Sequence, residues 1–120
     1  MKLKECIEYV DRLKPNAFSN DQKTHWINEI EGRFQTDVLL FDPVTNITQY
    51  TWADNQDTVL LIREPFTTVY TSYLEAKIDY QNGEYDKAAN SFAQFEEQWG
   101  DFKCQFLMDY TPGGERECMV

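Results

Sequence analysis

The sequence predicts a mainly α-helical protein: a four-helix domain made of two helical hairpins, with a small β-hairpin or extended arm between helices 2 and 3. Three observations predict this fold. Apolar residues recur three and four positions apart in four separate stretches, which is the pattern of amphipathic helices. One stretch in the middle instead alternates with a period of two among β-forming residues. The 120 residues, 42% of them hydrophobic, are enough for one domain with its own core.

The first two helices are predicted at residues 2–13 and 20–38. Pro15 ends the first helix, because the residue before a proline is pushed out of helical geometry. Ser19 is expected to cap the second helix, with Gln22 three residues later completing a capping box. The short connection between them predicts an antiparallel hairpin. Each helix carries one apolar stripe: Leu3, Cys6, Ile7, Val10 and Leu13 in the first, and Trp26, Ile27, Ile30, Phe34 and Val38 in the second.

The middle of the chain, residues 44–62, is predicted to form the β-hairpin or arm. Residues 47–52 alternate with a period of two, residues 53–57 have the composition of a turn, and residues 59–62 are a short apolar run suited to a returning strand. Because a lone hairpin is only marginally stable in water, we expect this arm to pack on the helices or on a neighbouring subunit.

The last two helices are predicted at residues 65–81 and 84–109. Pro65 suits the first turn of a helix, where its missing N–H costs nothing. Between the two helices, Asn82 and Gly83 provide the left-handed stop that commonly follows a helix. The final helix carries the longest apolar stripe of the chain: Ala88, Phe92, Phe95, Trp99, Phe102 and Phe106.

The single domain is therefore expected to span residues 1–110, followed by a flexible tail at residues 111–120. Gly100 lies inside the last helix, where a glycine costs about 1 kcal/mol relative to alanine and allows a kink or break.

Composition and charge limit the classes of function. The net charge is −10; residues 1–40 carry six basic against seven acidic side chains, and residues 41–120 carry five against fourteen. Such an acidic body disfavours binding to phosphate backbones. No apolar run is long enough for a membrane span, and the polar N-terminus does not resemble a secretory signal. Three widely spaced cysteines match neither a disulfide framework nor a zinc ribbon, which predicts reduced thiols in the cytoplasm.

The sequence offers no catalytic, metal or cofactor site. His25 is the only histidine, and its neighbour Glu29 one turn away favours a surface ion pair. Cys6 falls on an apolar stripe, where a cysteine usually behaves as a small hydrophobic residue. Residues 54–57 lack the ligand spacing and glycine of a calcium loop. Phosphate loops, nucleophile elbows and zincin motifs are also missing from the sequence. We therefore expect a protein that is not an enzyme.

Some aromatic residues are candidates for a contact surface. The stripe of the last helix is expected to be core. The tyrosines at positions 70, 73 and 80 fit either core or interface, since tyrosine combines a large apolar body with a polar tip. Our candidates for contacts with a partner or another subunit are Tyr50 and Trp52 in the arm, and Tyr70 and Tyr73 on the third helix.

Two motifs carry a resemblance to a known family. The first comprises Lys14–Ser19 (Lys-Pro-Asn-Ala-Phe-Ser), Lys23-Thr24-His25-Trp26 and Glu31-Gly32. The second comprises Glu64-Pro65-Phe66, Tyr70, Tyr73–Ala76 (Tyr-Leu-Glu-Ala) and the eight-residue run Ile78–Tyr85 (Ile-Asp-Tyr-Gln-Asn-Gly-Glu-Tyr). Over about residues 1–108 the chain resembles short proteins from the head-morphogenesis gene clusters of prophages of Gram-positive bacteria. Arg63-Glu64 in place of a proline, and the cysteine-bearing tail, depart from that family.

The resemblance implies a structural function. Such proteins are similar to head–tail connector adaptors, which are small helical proteins that form a ring on the phage portal and extend the DNA channel. It implies a ring homo-oligomer that contacts portal or tail-joining proteins, first in the cytoplasm of the bacterial host and then in the virion, with DNA at most passing through. The alternatives are an acidic binding or regulatory module, such as a DNA mimic of phage origin, and a small hydrolase.

Overall fold

The computed structural model describes residues 1–38, 48–63 and 65–109. The mainly α-helical class is confirmed for this part of the chain. A π-helical turn, Phe34–Val38, continues the second helix without interruption. The helices are α1 (Leu3–Leu13), α2 (Asn20–Arg33), α3 (Trp52–Asn55), α4 (Thr68–Gln81) and α5 (Tyr85–Asp109).

Helices α1 and α2 lie where the first two helices are predicted. The hydroxyl of Ser19 accepts a hydrogen bond from the backbone N–H of Gln22 at 3.1 Å, which confirms the predicted cap of α2. In the connection, the side-chain amide of Asn16 donates to the carboxylate of Asp11 and to the carbonyl of Lys14, both at 3.0 Å. This connection is therefore held by local side-chain hydrogen bonds that the sequence supplies at fixed positions.

Helix α4 contacts α1, α2 and α5, which makes it the central helix of the described fold. It begins at Thr68 rather than at Pro65, because the residues before it form tighter turns in which Phe66 donates to Arg63 and Val69 donates to Phe66. Its buried side chains point to several sides: Val69, Tyr70, Thr71, Ser72, Leu74, Ala76, Ile78 and Asp79.

The turn between α4 and α5 is a Schellman motif. Gly83 has a φ of +80°, its N–H donates to Tyr80 at 3.1 Å, and the N–H of Glu84 donates to Asp79 at 2.9 Å. The predicted stop at Asn82 and Gly83 is thus confirmed. Helix α5 runs through Gly100 without a break, and the large side chains Trp99 and Phe102 on either side of this glycine are packed in the core.

The predicted β-hairpin at residues 44–62 is not supported. Residues 44–47 lie outside the described part of the chain, residues 48–51 form no strand, and Trp52, the last residue of the predicted first strand, begins the short helix α3. That turn is stabilised locally, because the Asn55 side chain accepts from the Thr51 N–H at 2.9 Å and the Thr51 hydroxyl donates to Asp54 at 3.1 Å. Among the described residues, Val59 forms its isolated antiparallel bridge with Lys2 at the N-terminus instead.

One core joins all four long helices. The stripe of α5 contributes Phe95, Trp99 and Phe102, and Phe34 from the π-helical turn packs on Phe102 and Phe106 with ring centroids 5.4 Å apart. The predicted tail at residues 111–120 lies outside the described residues. Within residues 1–38, 48–63 and 65–109, none of the helices combines the length and apolarity needed to cross a bilayer.

Candidate functional site

A row of three polar side chains on α2 holds the segment that precedes α4. Asn28, Glu31 and Gln35 are three and four residues apart, so they share one face of α2 and its π-helical extension. The amide of Asn28 donates to the carbonyl of Tyr50 at 2.9 Å and accepts from the N–H of Tyr50 at 2.8 Å. We refer to Asn28, Glu31 and Gln35 as the polar row, and to residues 48–62 as the strap.

Gln35 binds the backbone of the strap at Thr48, two residues before Tyr50. Its side chain is fully buried; it donates to the carbonyl of Thr48 at 3.2 Å and accepts from the N–H of Thr48 at 2.8 Å. Residues two apart in an extended backbone present their N–H and C=O groups to the same side. The amides of Asn28 and Gln35 therefore satisfy the backbone of the strap as a neighbouring β-strand would.

Between the two amides, Glu31 is a completely buried carboxyl group. It accepts hydrogen bonds from the hydroxyl of Tyr50 at 2.8 Å, from the N–H of Leu61 at 3.0 Å and from the hydroxyl of Tyr70. The Tyr70 hydroxyl also accepts from the N–H of Ile62 at 2.9 Å. One carboxyl group thus joins α2, both ends of the strap and α4.

Burial raises the pKa of Glu31 because it disfavours the charged form, while the hydrogen bonds from Tyr70, Leu61 and Tyr50 act in the opposite direction. A carboxylate with three donors is well satisfied, which is what allows such a group inside a protein. Since no part of Glu31 reaches solvent, it has no access to a substrate. Its arrangement suits the positioning of chain segments rather than proton transfer.

The four predicted contact residues lie in different environments. Tyr50 and Tyr70 are 5% and 0% exposed, and the structure brings both together around Glu31. Trp52 begins α3 and is partly buried against the core. Tyr73 is partly buried; its ring packs on Phe95 with centroids 4.9 Å apart. Their assignment to an interface stays a prediction, because these contacts are all within one chain.

Glu31 is the residue that sequence reasoning missed. A signal for it exists: Glu31 follows Ile27 by four residues and precedes Phe34 by three, so it extends the apolar stripe of α2. A carboxylate at such a position predicts a buried group that needs partners. The partners themselves are between 19 and 39 residues away along the chain, and the spacing of residues in α2 does not reveal them.

Two ion pairs join helices to one another. Lys14 contacts the buried carboxylate of Asp79 at 2.6 Å and joins α1 to α4. Arg33 makes two hydrogen bonds to Glu96, at 2.9 and 3.1 Å, and lies over the ring of Trp99 at 4.7 Å. These bonds lower the pKa of Glu96. Each pair has an evident structural function.

His25 and Cys6 do not form a pair, since the His25 side chain is 70% exposed and Cys6 lies in the core. The imidazole of His25 is 3.9 Å from Glu29, beside a shallow depression of about 290 Å³. Burial raises the pKa of the free Cys6 thiol to about 12. The described residues contain no cluster of side chains suited to a metal ion.

The second candidate surface is the end of the α4–α5 hairpin, which we refer to as the tyrosine tip (residues 80–85). Tyr80 and Tyr85 are 52% and 62% exposed, and their rings pack edge to face with centroids 5.2 Å apart. Leu13 is 56% exposed, and the Lys14–Asp79 pair places it at the same end of the molecule. The tip therefore presents ordered apolar surface to solvent.

Similarity to known proteins does not indicate a function for these features. Comparisons with protein family models, with curated proteins and with solved structures find no match. The polar row, the tyrosine tip and the two sequence motifs are the features from which a function can be inferred.

Proposed function

We propose that this chain is a phage structural protein, a head–tail connector adaptor that assembles into a ring on the portal and extends the DNA channel. The observation that carries the proposal is the tyrosine tip. The more specific of the two sequence motifs, residues 78–85, ends in the exposed turn where Tyr80 and Tyr85 pack side by side. The most specific part of the family resemblance thus coincides with an exposed, ordered apolar surface.

The tip has the properties of a protein contact. Tyrosines are enriched in the energetically important parts of interfaces, and two exposed ones in contact are unusual enough to need a reason. The Schellman turn fixes the backbone of the tip, and the Lys14–Asp79 pair ties it to α1. Because the tip is already ordered, it loses little conformational entropy when a partner binds.

The interior of the protein also favours a structural function. Among the described residues, the three buried charged side chains are each bonded: Glu31 to two tyrosines and a backbone N–H, Asp79 to Lys14, and Lys23 to Asp11 at 2.7 Å. Catalytic groups commonly combine a perturbed pKa with access to a cleft. The buried groups here join chain segments instead, which suits a subunit that has to keep its shape under load.

The charge fits a wall past which DNA slides. With a net charge of −10, the chain repels phosphate backbones, so DNA passing through a ring of such subunits would not adhere to it. The proposal places the protein in the host cytoplasm during assembly and in the virion afterwards. Its partners are other copies of itself and the portal or tail-joining proteins.

The acidic regulatory module is the second candidate. A DNA mimic needs rows of free carboxylates that imitate phosphates, but several carboxylates of this chain already bind cations of their own chain. These are Asp11, Glu29, Asp37, Asp79, Glu84 and Glu96. This pairing reduces the free acidic surface and makes the adaptor the better-supported proposal.

The test is the native mass of the protein across a concentration series, measured by light scattering on a sizing column, alone and with the portal protein of the same phage. The adaptor proposal expects a ring-sized species in at least one of the two conditions. A strict monomer or dimer that ignores the portal at high concentration would contradict it and would favour the acidic module.

A further inference from the structure

The strap is held on the helices through one buried carboxyl group. Glu31 bonds to Tyr50 near the start of the strap and to Leu61 near its end, and Tyr70 of α4 bonds to both Glu31 and Ile62. Any opening of the strap removes two of the three donors from Glu31 and admits water to it. The charge state of Glu31 and the position of the strap are therefore linked.

We propose that Glu31 makes the closure of the strap proton-dependent, so that the strap closes most firmly when Glu31 is protonated and loosens as Glu31 ionises. This device does not depend on the proposed function. It concerns a different face of the molecule from the tyrosine tip, and it can be tested on the isolated chain.

Within the described part of the chain, the bonds to Glu31 come from neutral donors, namely two tyrosine hydroxyls and one backbone N–H. The titratable side chains that interact with it are Tyr50 of the strap, Tyr70 of α4 and Cys6 of α1. Burial raises the pKa of all three, so each stays neutral near pH 7. The ionised carboxylate is stabilised by the hydrogen bonds from Tyr50, Tyr70 and Leu61, while burial opposes it.

The direction of the effect follows from proton linkage. In the open state Glu31 is in water, where a glutamate has a pKa of about 4.3. In the closed state its pKa is raised, so the closed state binds the proton more tightly. Closure is therefore fully favoured below the pKa of the open state. Between the two pKa values the opening constant rises by up to about tenfold per pH unit, and above both it is constant.

An open strap changes what the protein presents to a partner. Tyr50, which is 5% exposed in the closed state, would become accessible together with the amides of Asn28 and Gln35. Those amides are already arranged to bind an extended backbone. The contact predicted from sequence for Tyr50 would then be made only by the open state.

Hydrogen exchange of the Tyr50 and Leu61 amides, followed by NMR from pH 4 to pH 8 and corrected for intrinsic rates, measures the opening directly. In the wild type we expect the protection factors to fall by up to about tenfold per pH unit and then level off. In Glu31→Gln the corrected protection should not depend on pH. Glu29→Gln removes a carboxyl group from the same helix that is 37% exposed and bonds to α4 without contacting the strap backbone, and this control should keep the wild-type profile.

A wild-type profile without pH dependence, or the same slope in Glu31→Gln as in the wild type, would overturn the proposal. If Glu31→Gln does not fold, Tyr70→Phe provides the second test. This variant keeps the carboxyl group but removes one hydrogen bond to its charged form, which should raise its pKa and move the plateau to higher pH. A plateau that stays in place would contradict the proposal.

Discussion

Glu31 occupies a position where the pattern of α2 expects an apolar side chain. Placing a carboxyl group in a protein interior costs free energy, and that cost is offset only where the group has enough hydrogen-bond partners. Glu31 has three, and they come from parts of the chain that otherwise have no reason to meet. Its hydrogen bonds fix the position of the strap, and they offset the free energy that burying a carboxyl group costs.

Removing the carboxyl group should be costly. We expect Glu31→Ala to lower the free energy of unfolding by roughly 2–4 kcal/mol, because two tyrosine hydroxyls and the Leu61 N–H lose their acceptor. Urea denaturation at pH 7 measures the loss. Glu29→Ala removes a carboxylate two residues away that is 37% exposed and bonds to Tyr73 and Lys77 at the surface, and it should cost less, about 1 kcal/mol. Equal losses in the two variants would show that Glu31 has no special importance.

Cys6 should be unreactive in the folded protein. Its side chain is completely buried and its pKa is raised to about 12, so thiolate is scarce at pH 8. We expect alkylation of Cys6, followed by mass spectrometry of the peptide that contains it, to proceed only through unfolding. Labelling at the same rate with and without urea would contradict the buried position of α1.

The hairpin of α4 and α5 depends on one glycine. At Gly83, with φ at +80°, a Cβ would meet no atom within 4 Å, so the cost of Gly83→Ala is conformational only and should be about 1 kcal/mol of unfolding free energy. Gly32 is the matched control, since it lies inside α2 with the same open space. Gly32→Ala should stabilise the protein by up to about 1 kcal/mol. The same sign in both variants, measured by thermal unfolding, would contradict the turn geometry.

The ion pair between Arg33 of α2 and Glu96 of α5 should make the stability of the protein depend weakly on pH in the acid range. Arg33 lowers the pKa of Glu96, so this pair contributes stability above the usual pKa of a glutamate and loses it as the pH falls through the lowered value. Glu96 is largely exposed, and we expect less than about 1 kcal/mol. Glu96→Gln should therefore lose less stability than the wild type between pH 7 and pH 3. If the variant instead lost more unfolding free energy than the wild type over this pH range, the Arg33–Glu96 pair would not be stabilising.

The four long helices could be predicted because their signals are local. Apolar spacing, the Ser19 cap and the Asn82-Gly83 stop act within a few residues of one another. The strap could not be predicted in this way. Its position depends on side chains of α2 that lie 13 to 30 residues away and bind its backbone, whereas its own alternating residues favour a hairpin. Tertiary hydrogen bonds have overridden local preference.

The candidate site was predictable only in part. The sequence predicts Tyr50 and Tyr70 as contact residues, but a tyrosine fits a core or an interface equally well. Their hydrogen bonds to the buried Glu31 place both tyrosines in the interior of the single chain. The tyrosine tip had a signal in the motif at residues 78–85. The motif alone does not show on which side of the turn the two rings lie. That the rings are exposed is therefore known only from the structure.

Viewed as a whole, the molecule has a rigid interior and one end that exposes aromatic surface. Helix α4 contacts three other helices, and ion pairs join α1 to α4 and α2 to α5. The tyrosine tip lies at the end of the central hairpin, with Leu13 nearby. In the proposed ring, a body of this kind would pass force between neighbours while the tip makes the contact.

The most direct test of this account is the native mass of the double variant Tyr80→Ser/Tyr85→Ser beside the wild type, at matched concentrations and with the portal protein present. Tyr9→Ser is the control, because Tyr9 is 42% exposed on α1 and lies outside both motifs. We predict a ring-sized species for the wild type and the control, and a monomer with an unchanged unfolding midpoint for the double variant. A double variant that assembles as fully as the wild type would contradict the account.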